Sequence, residues 1–214
     1  MTVKVSSVSG FDVVRVLDGR ASYIGFTVTK GESFKGSVPP RLAEDLASIV
    51  SKSKPVLILR KHSITDVIGV LEEASSFRVV EYRIPIPPQT ASIMASRLAE
   101  RGVRLAPLVV WDDGWRPANP CKYITFTRAI AGVEPEYVIV KPSSEAHGRP
   151  VIPGRELKAL ECVDQINLGD NGIARGNVCS MLESGVRMVD IEMGGQYGVT
   201  RRDVLDIIDA ALNC

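Results

Sequence analysis

Between Phe11 and Val38 the chain alternates short β-branched runs with turn residues: FDVVRVL, Asp18-Gly19, ASYIGFTV, Lys30-Gly31 and ESFKGSV. An Asp-Gly pair between such runs favours a tight hairpin, because both residues tolerate positive φ. Three antiparallel strands in a meander are expected, closed by Pro39-Pro40. Leu42, Leu46, Ile49 and Val50 then recur at helical spacing. From there helices and strands take turns. PVLIL at 55–59 is a continuous apolar run, as in a strand buried on both faces. Ile64, Val67, Ile68 and Leu71 stripe a helix, and Phe77 to Ile84 reads as a strand. Thr90 to Arg101 is a helix stopped by Gly102, and Val103 to Trp111 is a strand that Pro107 assigns to a sheet edge or a bulge. Such alternation implies parallel strands joined by right-handed crossovers.

Beyond Trp111 two more strands are expected, KYITFTRAI and EYVIV, then a long connection over 141–155. Helices follow over Glu156 to Ile166 and Asn177 to Ser184. Thr200 caps a last helix, with Asp203 in the capping-box position. The expected fold is α/β: an N-terminal antiparallel β-meander continuing into a parallel, and so overall mixed, sheet, with a mainly helical C-terminal extension. The corresponding division is 1–153 and 154–214. Val204, Ile207, Ile208, Ala211 and Leu212 form an apolar face on the last helix, to be buried on the sheet or, in a homo-oligomer, on a second copy of the chain.

Composition adds constraints to this picture. With 45% hydrophobic and 24% charged residues the chain has the make-up of a folded domain with a core. Lys plus Arg number 26 against 25 Asp plus Glu, a net of +1, which excludes a general polyanion-coating role. No apolar run approaches the roughly 18 residues that span a bilayer, and no signal-peptide pattern opens the chain, so no membrane partner and a cytoplasmic location are expected. Gln89, Gln165 and Gln196 are the only glutamines, which fits a thermophile protein. Cys121, Cys162, Cys179 and Cys214 lack any C-x-x-C spacing, which argues against structural zinc. Buried thiols or one of three full disulfide pairings remain open.

Open parallel sheets bind ligands beyond the carboxyl ends of their strands. Two clusters fall there. Arg60, Lys61, His62 and Ser63 leave the PVLIL strand and enter a helix, offering two cations, an imidazole and a hydroxyl to an anion. Asp112 and Asp113 leave the next-but-one strand, with Arg116 close behind; paired carboxylates of this kind hold Mg²⁺. The leading expectation is binding or turnover of a small phosphate-bearing or otherwise anionic ligand at this edge. LGDNGIARGN is rich in glycine, but with a helix expected before it and no strand, it does not make a dinucleotide fingerprint.

The order meander, helix, strand, helix, strand over residues 11–113 also resembles the ribonuclease-H-like architecture. That resemblance implies an Mg²⁺-dependent nuclease in which Asp18, Glu44 or Asp45, and Asp112 or Asp113 hold two metal ions. Nucleic acid is a partner under this reading only. The strand at 55–59 departs from the pattern, ending in Arg60-Lys61-His62 where an acidic residue is expected.

Overall fold

TVKVS, at the start of the chain, alternates Val3 and Val5 with Lys4 and forms strand β1 (Thr2–Ser6). Both valines pack toward the surrounding helices, and Lys4 is fully buried on the opposite face. In the computed structural model, which describes residues 2–31, 35–111, 119–142, 160–169, 178–193 and 200–214, seven further strands follow. They are β2 (Tyr23–Thr29), β3 (Lys54–Arg60), β4 (Val79–Tyr82), β5 (Arg104–Trp111), β6 (Val138–Pro142), β7 (Ile166–Gly169) and β8 (Met188–Glu192). Each runs parallel to the next. β8 pairs back onto β1, from Thr2 opposite Met188 to Ser6 opposite Glu192, and closes the sheet. Outside lie α1 (Phe11–Leu17), α2 (Pro40–Ser48), α3 (Asp66–Glu73), α4 (Pro88–Ala99), α5 (Pro120–Ala131), α6 (Val178–Glu183) and α7 (Arg201–Asn213). This is a (β/α)₈ barrel.

Closure overturns the expected meander and mixed sheet. FDVVRVL is α1: Val14 and Leu17, three apart, are buried, and this tertiary packing outweighs the β preference of the valines. Asp18-Gly19 makes a helix-to-strand return, with Gly19 at φ +86°, and not a hairpin. The run ESFKGSV lies partly outside the described residues, and the bridge from its Ser37 to Thr27 is parallel. KYITFTRAI likewise lies within a helix, α5. Asn119 caps it by accepting from the Cys121 N–H at 2.9 Å, Gly132 ends it in the left-handed region, and Tyr123, Ile124 and Thr127 are buried.

Pro107 stands inside the closed sheet, opposite Tyr82 of β4. Its nitrogen faces β6, by alternation from Arg104, whose N–H reaches Arg78 on the β4 side. The β5–β6 pairing begins only at Leu108 opposite Ile139, so the missing donor falls where the ladder has not started. The expected helical extension contains β7 and β8, which complete the barrel. The apolar face of α7 is used within the chain: Val204, Ile208 and Ala211 are buried, and the helix packs on β1 and α6. Its capping box forms as expected, Thr200 and Asp203 bonding reciprocally.

Two apolar layers result. The larger lies between strands and helices; the smaller fills the barrel interior with Val56, Ile58, Val79, Ala106, Leu108, Tyr137, Ile139 and Met188. At Gly25 on β2 any side chain would collide with Ile58, so glycine leaves room for the interior to fill. At the amino end of the barrel Glu136 accepts from Tyr23 Oη at 2.7 Å and Lys54 Nζ at 2.6 Å. All four cysteines are paired, Cys121 with Cys162 and Cys179 with Cys214. Among the described residues no helix is long and apolar enough to cross a membrane.

Candidate functional site

In barrels of this kind the carboxyl ends of the strands form the functional rim. Here the residues that face the axis near that rim are polar. Lys4 and Ser6 come from β1, Thr27 from β2, Arg60 from β3, Glu81 from β4 with Arg83 just beyond it, Lys141 from β6, and Asp190 and Glu192 from β8. All but Arg60 and Lys141 are buried.

They form two tiers. In the lower, Lys4 Nζ lies 2.5 Å from Glu81 Oε2 and 2.9 Å from Asp190 Oδ2, and donates to Ser6 Oγ at 2.7 Å. Ser6 Oγ donates in turn to Asp190 Oδ1 at 2.5 Å, and Tyr137 Oη to Glu81 Oε2 at 2.9 Å. Arg83 joins the tiers: Nε donates to Glu81, Nη2 to Asp190 at 2.6 Å, and Nη1 stands 3.2 Å from Glu192 Oε2. In the upper tier Glu192 accepts from Arg60 Nη2, from Lys141 Nζ at 3.2 Å and from Ser7 Oγ at 3.3 Å. Ser7 also bonds Thr27 Oγ1 at 3.0 Å. Ser7 and Lys61, just after β1 and β3, hold φ of 61° and 59° without being glycine. Such conformations cost of order 1 kcal/mol each and gather at functional rims.

The electrostatics follow from burial and packing. Burial alone would raise the Glu192 carboxyl, but Arg83, Lys141 and Arg60 together hold it well below the usual range. Glu81, raised by burial and lowered more by Arg83 and Lys4, settles at about 2. Burial and then Arg83 lower the Lys141 amine, with Glu192 opposing. Among the described residues, the cations Lys4, Arg60, Arg83 and Lys141 meet the carboxylates Glu81, Asp190 and Glu192, leaving one positive charge uncompensated. Arg83 Nη1 makes no hydrogen bond among the described residues. Neither does the fully buried amide of Asn167, on β7 in register with the axis-facing Ile139 and Met188. The described part of the mouth thus combines a positive surplus with buried polar atoms that make no hydrogen bond there.

Of the cluster at 60–63, only Arg60 reaches the mouth. Lys61 is exposed. His62 is buried on the helix side, its Nδ1 2.8 Å from the Arg60 carbonyl and its own carbonyl accepting from Tyr82 Oη; burial lowers its pKa. Ser63 Oγ donates to Asp66 Oδ2 at 2.6 Å and accepts from the Asp66 N–H, a local cap at the start of α3. Asp112, Asp113 and Arg116, and with them the expected Mg²⁺ site, lie outside the described residues. The glycine-rich stretch after residue 169 lies outside them too, but it follows strand β7 and not a helix.

Asp18 stands at the amino end of the barrel, away from this rim. Its carboxylate accepts from the backbone N–H groups of Ser51, Lys52 and Ser53 and from Ser51 Oγ, and these bonds outweigh burial and hold it well below the usual range. Glu44 is likewise engaged, by Ser76, and Asp45 is exposed. Among the described residues no group of three His, Cys, Asp or Glu could hold a metal ion. The ribonuclease-H-like arrangement fails because the sheet is a closed parallel barrel that sends Asp18 to the wrong end. Asp18→Ala is therefore expected to cost about 1–2 kcal/mol through the lost loop bonds and to leave turnover unchanged. Thermal melts beside rate measurements check this; lost turnover at unchanged stability would contradict it.

Sequence reasoning missed Lys4, Ser6, Ser7, Glu81, Arg83, Lys141, Asp190 and Glu192. A signal was present: single charges inside apolar strands, as in TVKVS, VVEYR, VIVK and MVDIE.

No protein-family model matches the chain. An N-(5'-phosphoribosyl)anthranilate isomerase of Aeropyrum pernix is 33% identical over 202 residues, covering 92% of this chain and 89% of that protein. Among solved structures, a phosphoribosyl anthranilate isomerase from Thermus thermophilus superposes with a TM-score of 0.73 at 17% identity, over 100% of this chain and 99% of that one. Another phosphoribosyl anthranilate isomerase, in complex with reduced 1-(o-carboxyphenylamino)-1-deoxyribulose 5-phosphate, matches at a TM-score of 0.68 and 15% identity over 100% of both chains.

Proposed function

The chain belongs to the N-(5'-phosphoribosyl)anthranilate isomerase family, and from that premise we propose that it converts N-(5'-phosphoribosyl)anthranilate to 1-(o-carboxyphenylamino)-1-deoxyribulose 5-phosphate at the carboxyl-end mouth of the barrel. The observation that carries the reading is the cationic surplus among the described residues of that mouth, since this substrate bears both a carboxylate and a phosphate. Arg83, whose Nη1 is beside Glu192 but makes no hydrogen bond among the described residues, and Arg60 would meet the carboxylate. Barrels commonly hold phosphate in the loops after strands 7 and 8. The sequence supplies glycine-rich stretches there, DNGIARGN at 170–177 and GGQYGV at 194–199.

The chemistry is an aldose-amine to ketose-amine isomerisation. Protonation of the furanose oxygen lets its bond to C1 break, and the nitrogen lone pair forms a C1 iminium. Loss of the C2 proton then gives an enolamine, which returns a proton to C1 and becomes the ketone. Proton transfer near neutral pH is what the site has to supply.

The test is direct. The substrate is generated in situ from anthranilate and phosphoribosyl pyrophosphate by a phosphoribosyltransferase, the protein is added, and the isomer is resolved by chromatography. Conversion above the protein-free rate is expected. No conversion at a temperature where the barrel is folded would overturn the reading, and so directs the search to other anionic sugar derivatives.

A further inference from the structure

We propose that the Cys179–Cys214 disulfide is a thiol–disulfide exchange site, opened and reclosed in the folded protein by a small dithiol that enters a cavity at the amino end of the barrel. The inference goes beyond the isomerase reading and is independent of it.

The chain has four cysteines, and its two disulfides differ in their surroundings. Cys162 is buried, at 8% exposure, and Cys121 is half-buried. A thiolate reaches that pair only after the chain opens locally. Cys179, in α6, and Cys214, directly after α7, are both exposed. Exchange needs a line of approach to one sulfur, and here it needs no unfolding.

The cavity supplies that line. It measures about 470 Å³, and Leu182, Val186, Leu212 and Cys214 are among the residues that wall it. It lies where the chain turns into β8 and where α7 ends, at the opposite end of the barrel from the polar mouth. Leu212 lines it and is still 64% exposed, so the space is open to solvent. Cys214 belongs to the wall and Cys179 does not, which makes Cys214 the sulfur attacked and Cys179 the leaving group.

The electrons balance. A thiolate of the dithiol attacks Cys214 Sγ; a mixed disulfide forms as the Cys179–Cys214 bond breaks, and the electron pair leaves on Cys179 Sγ. The second thiolate of the same molecule then attacks its own sulfur in the mixed disulfide and releases Cys214. The dithiol is oxidised to a cyclic disulfide, the protein gains two electrons, and the two protons of the dithiol end on Cys179 and Cys214. The cyclic disulfide reverses every step. Sγ of Cys214 stands 3.1 Å from the Ala210 carbonyl, so the released thiol has an acceptor at hand. α7 stays seated meanwhile, through the buried Val204, Ile208 and Ala211 and the capping box at Thr200. What is freed is the end of one helix.

The experiment treats the oxidised whole chain with dithiothreitol well below its melting temperature, alkylates aliquots and maps the modified peptides by mass. Cys179 and Cys214 are expected to be alkylated together in a first phase, with Cys121–Cys162 opening at least about 10²-fold more slowly. Circular dichroism should not change during that phase, and oxidised dithiothreitol should restore the parent mass. An early quench with a monothiol, 2-mercaptoethanol, should leave the mixed disulfide on Cys214. Leu212→Trp puts a larger side chain into the wall at an exposed position and is expected to slow the first phase about tenfold without altering the fold. Both disulfides opening at one rate, opening only with loss of the circular dichroism signal, a mixed disulfide on Cys179, or a Leu212→Trp rate within twofold of the parent would each overturn the inference. None of these outcomes bears on whether the protein is an isomerase, which the conversion assay decides separately.

Discussion

Replacing Arg83 by methionine is expected to lower the unfolding free energy by about 3–5 kcal/mol, the range for breaking a buried ion pair from one side. For a chain of this length that is a fall in melting temperature of roughly 10 °C. The reason lies in what remains. Glu81, Asp190 and Glu192 each face Arg83, and all three are buried. With the guanidinium gone, three buried carboxylates share Lys4, Arg60 and Lys141, and part of their cost is relieved only by taking up protons. The loss is therefore largest at neutral pH and shrinks as the pH falls. In the parent the sign is the reverse. Glu81 is depressed from its usual 4.5 to about 2, so its contribution is present above the unfolded value and is lost as the pH falls from about 4.5 toward 2. Melting curves of both proteins between pH 7 and pH 3 should converge. A constant offset would mean that Arg83 acts through packing and not charge.

The second large effect is expected from the disulfides. Cys121–Cys162 and Cys179–Cys214 close loops with separations of 41 and 35 residues. On the chain-entropy account each stabilises by about 4 kcal/mol, by restricting the unfolded chain. Each should thus be worth as much as Arg83. The first links the start of α5 to the segment before β7, and the second links α6 to the end of α7. Together they tie the last third of the barrel to itself. Cys121→Ser with Cys162→Ser, and Cys179→Ser with Cys214→Ser, are each expected to lower the melting temperature by roughly 10 °C. A strong reductant should bring the parent down to the level of the variant lacking all four. Indifference to reductant would show that the unfolded chain gains little freedom when the links are cut.

The sequence was readable where burial follows local pattern. PVLIL, the stripe at Ile64 to Leu71, and the strand ending at Trp111 are β3, α3 and β5, because a strand covered on both faces and a helix covered on one leave distinct apolar periods. The Thr200 cap was also readable, since it is made within four residues. FDVVRVL and KYITFTRAI were not, because β-branched residues in short segments obey the surface they pack on. TVKVS was passed over for a different reason. Lys4 looks like a surface residue until Glu81 and Asp190, far along the chain, are brought to it. The same holds for the site. The rule that ligands sit beyond the carboxyl ends of strands directed attention to the rim where the buried polar side chains gather and to Arg60, but Arg83, Lys141 and Glu192 are brought there only by closure.

Closure itself carries a consequence for how the molecule comes into being. Lys4 and Asp190 are 186 positions apart, so during synthesis the first strand leaves the ribosome with a cation that has no final partner until the eighth strand arrives. Glu81 can quiet it in the interval, being made earlier. The half-built sheet meanwhile has an open edge along β1, the kind of surface that invites pairing with a stranger. A charged residue at the middle of that edge strand makes apolar association there unfavourable. Lys4 is thus an inward-pointing charge of the kind that disfavours edge pairing, and closure of the barrel buries it completely.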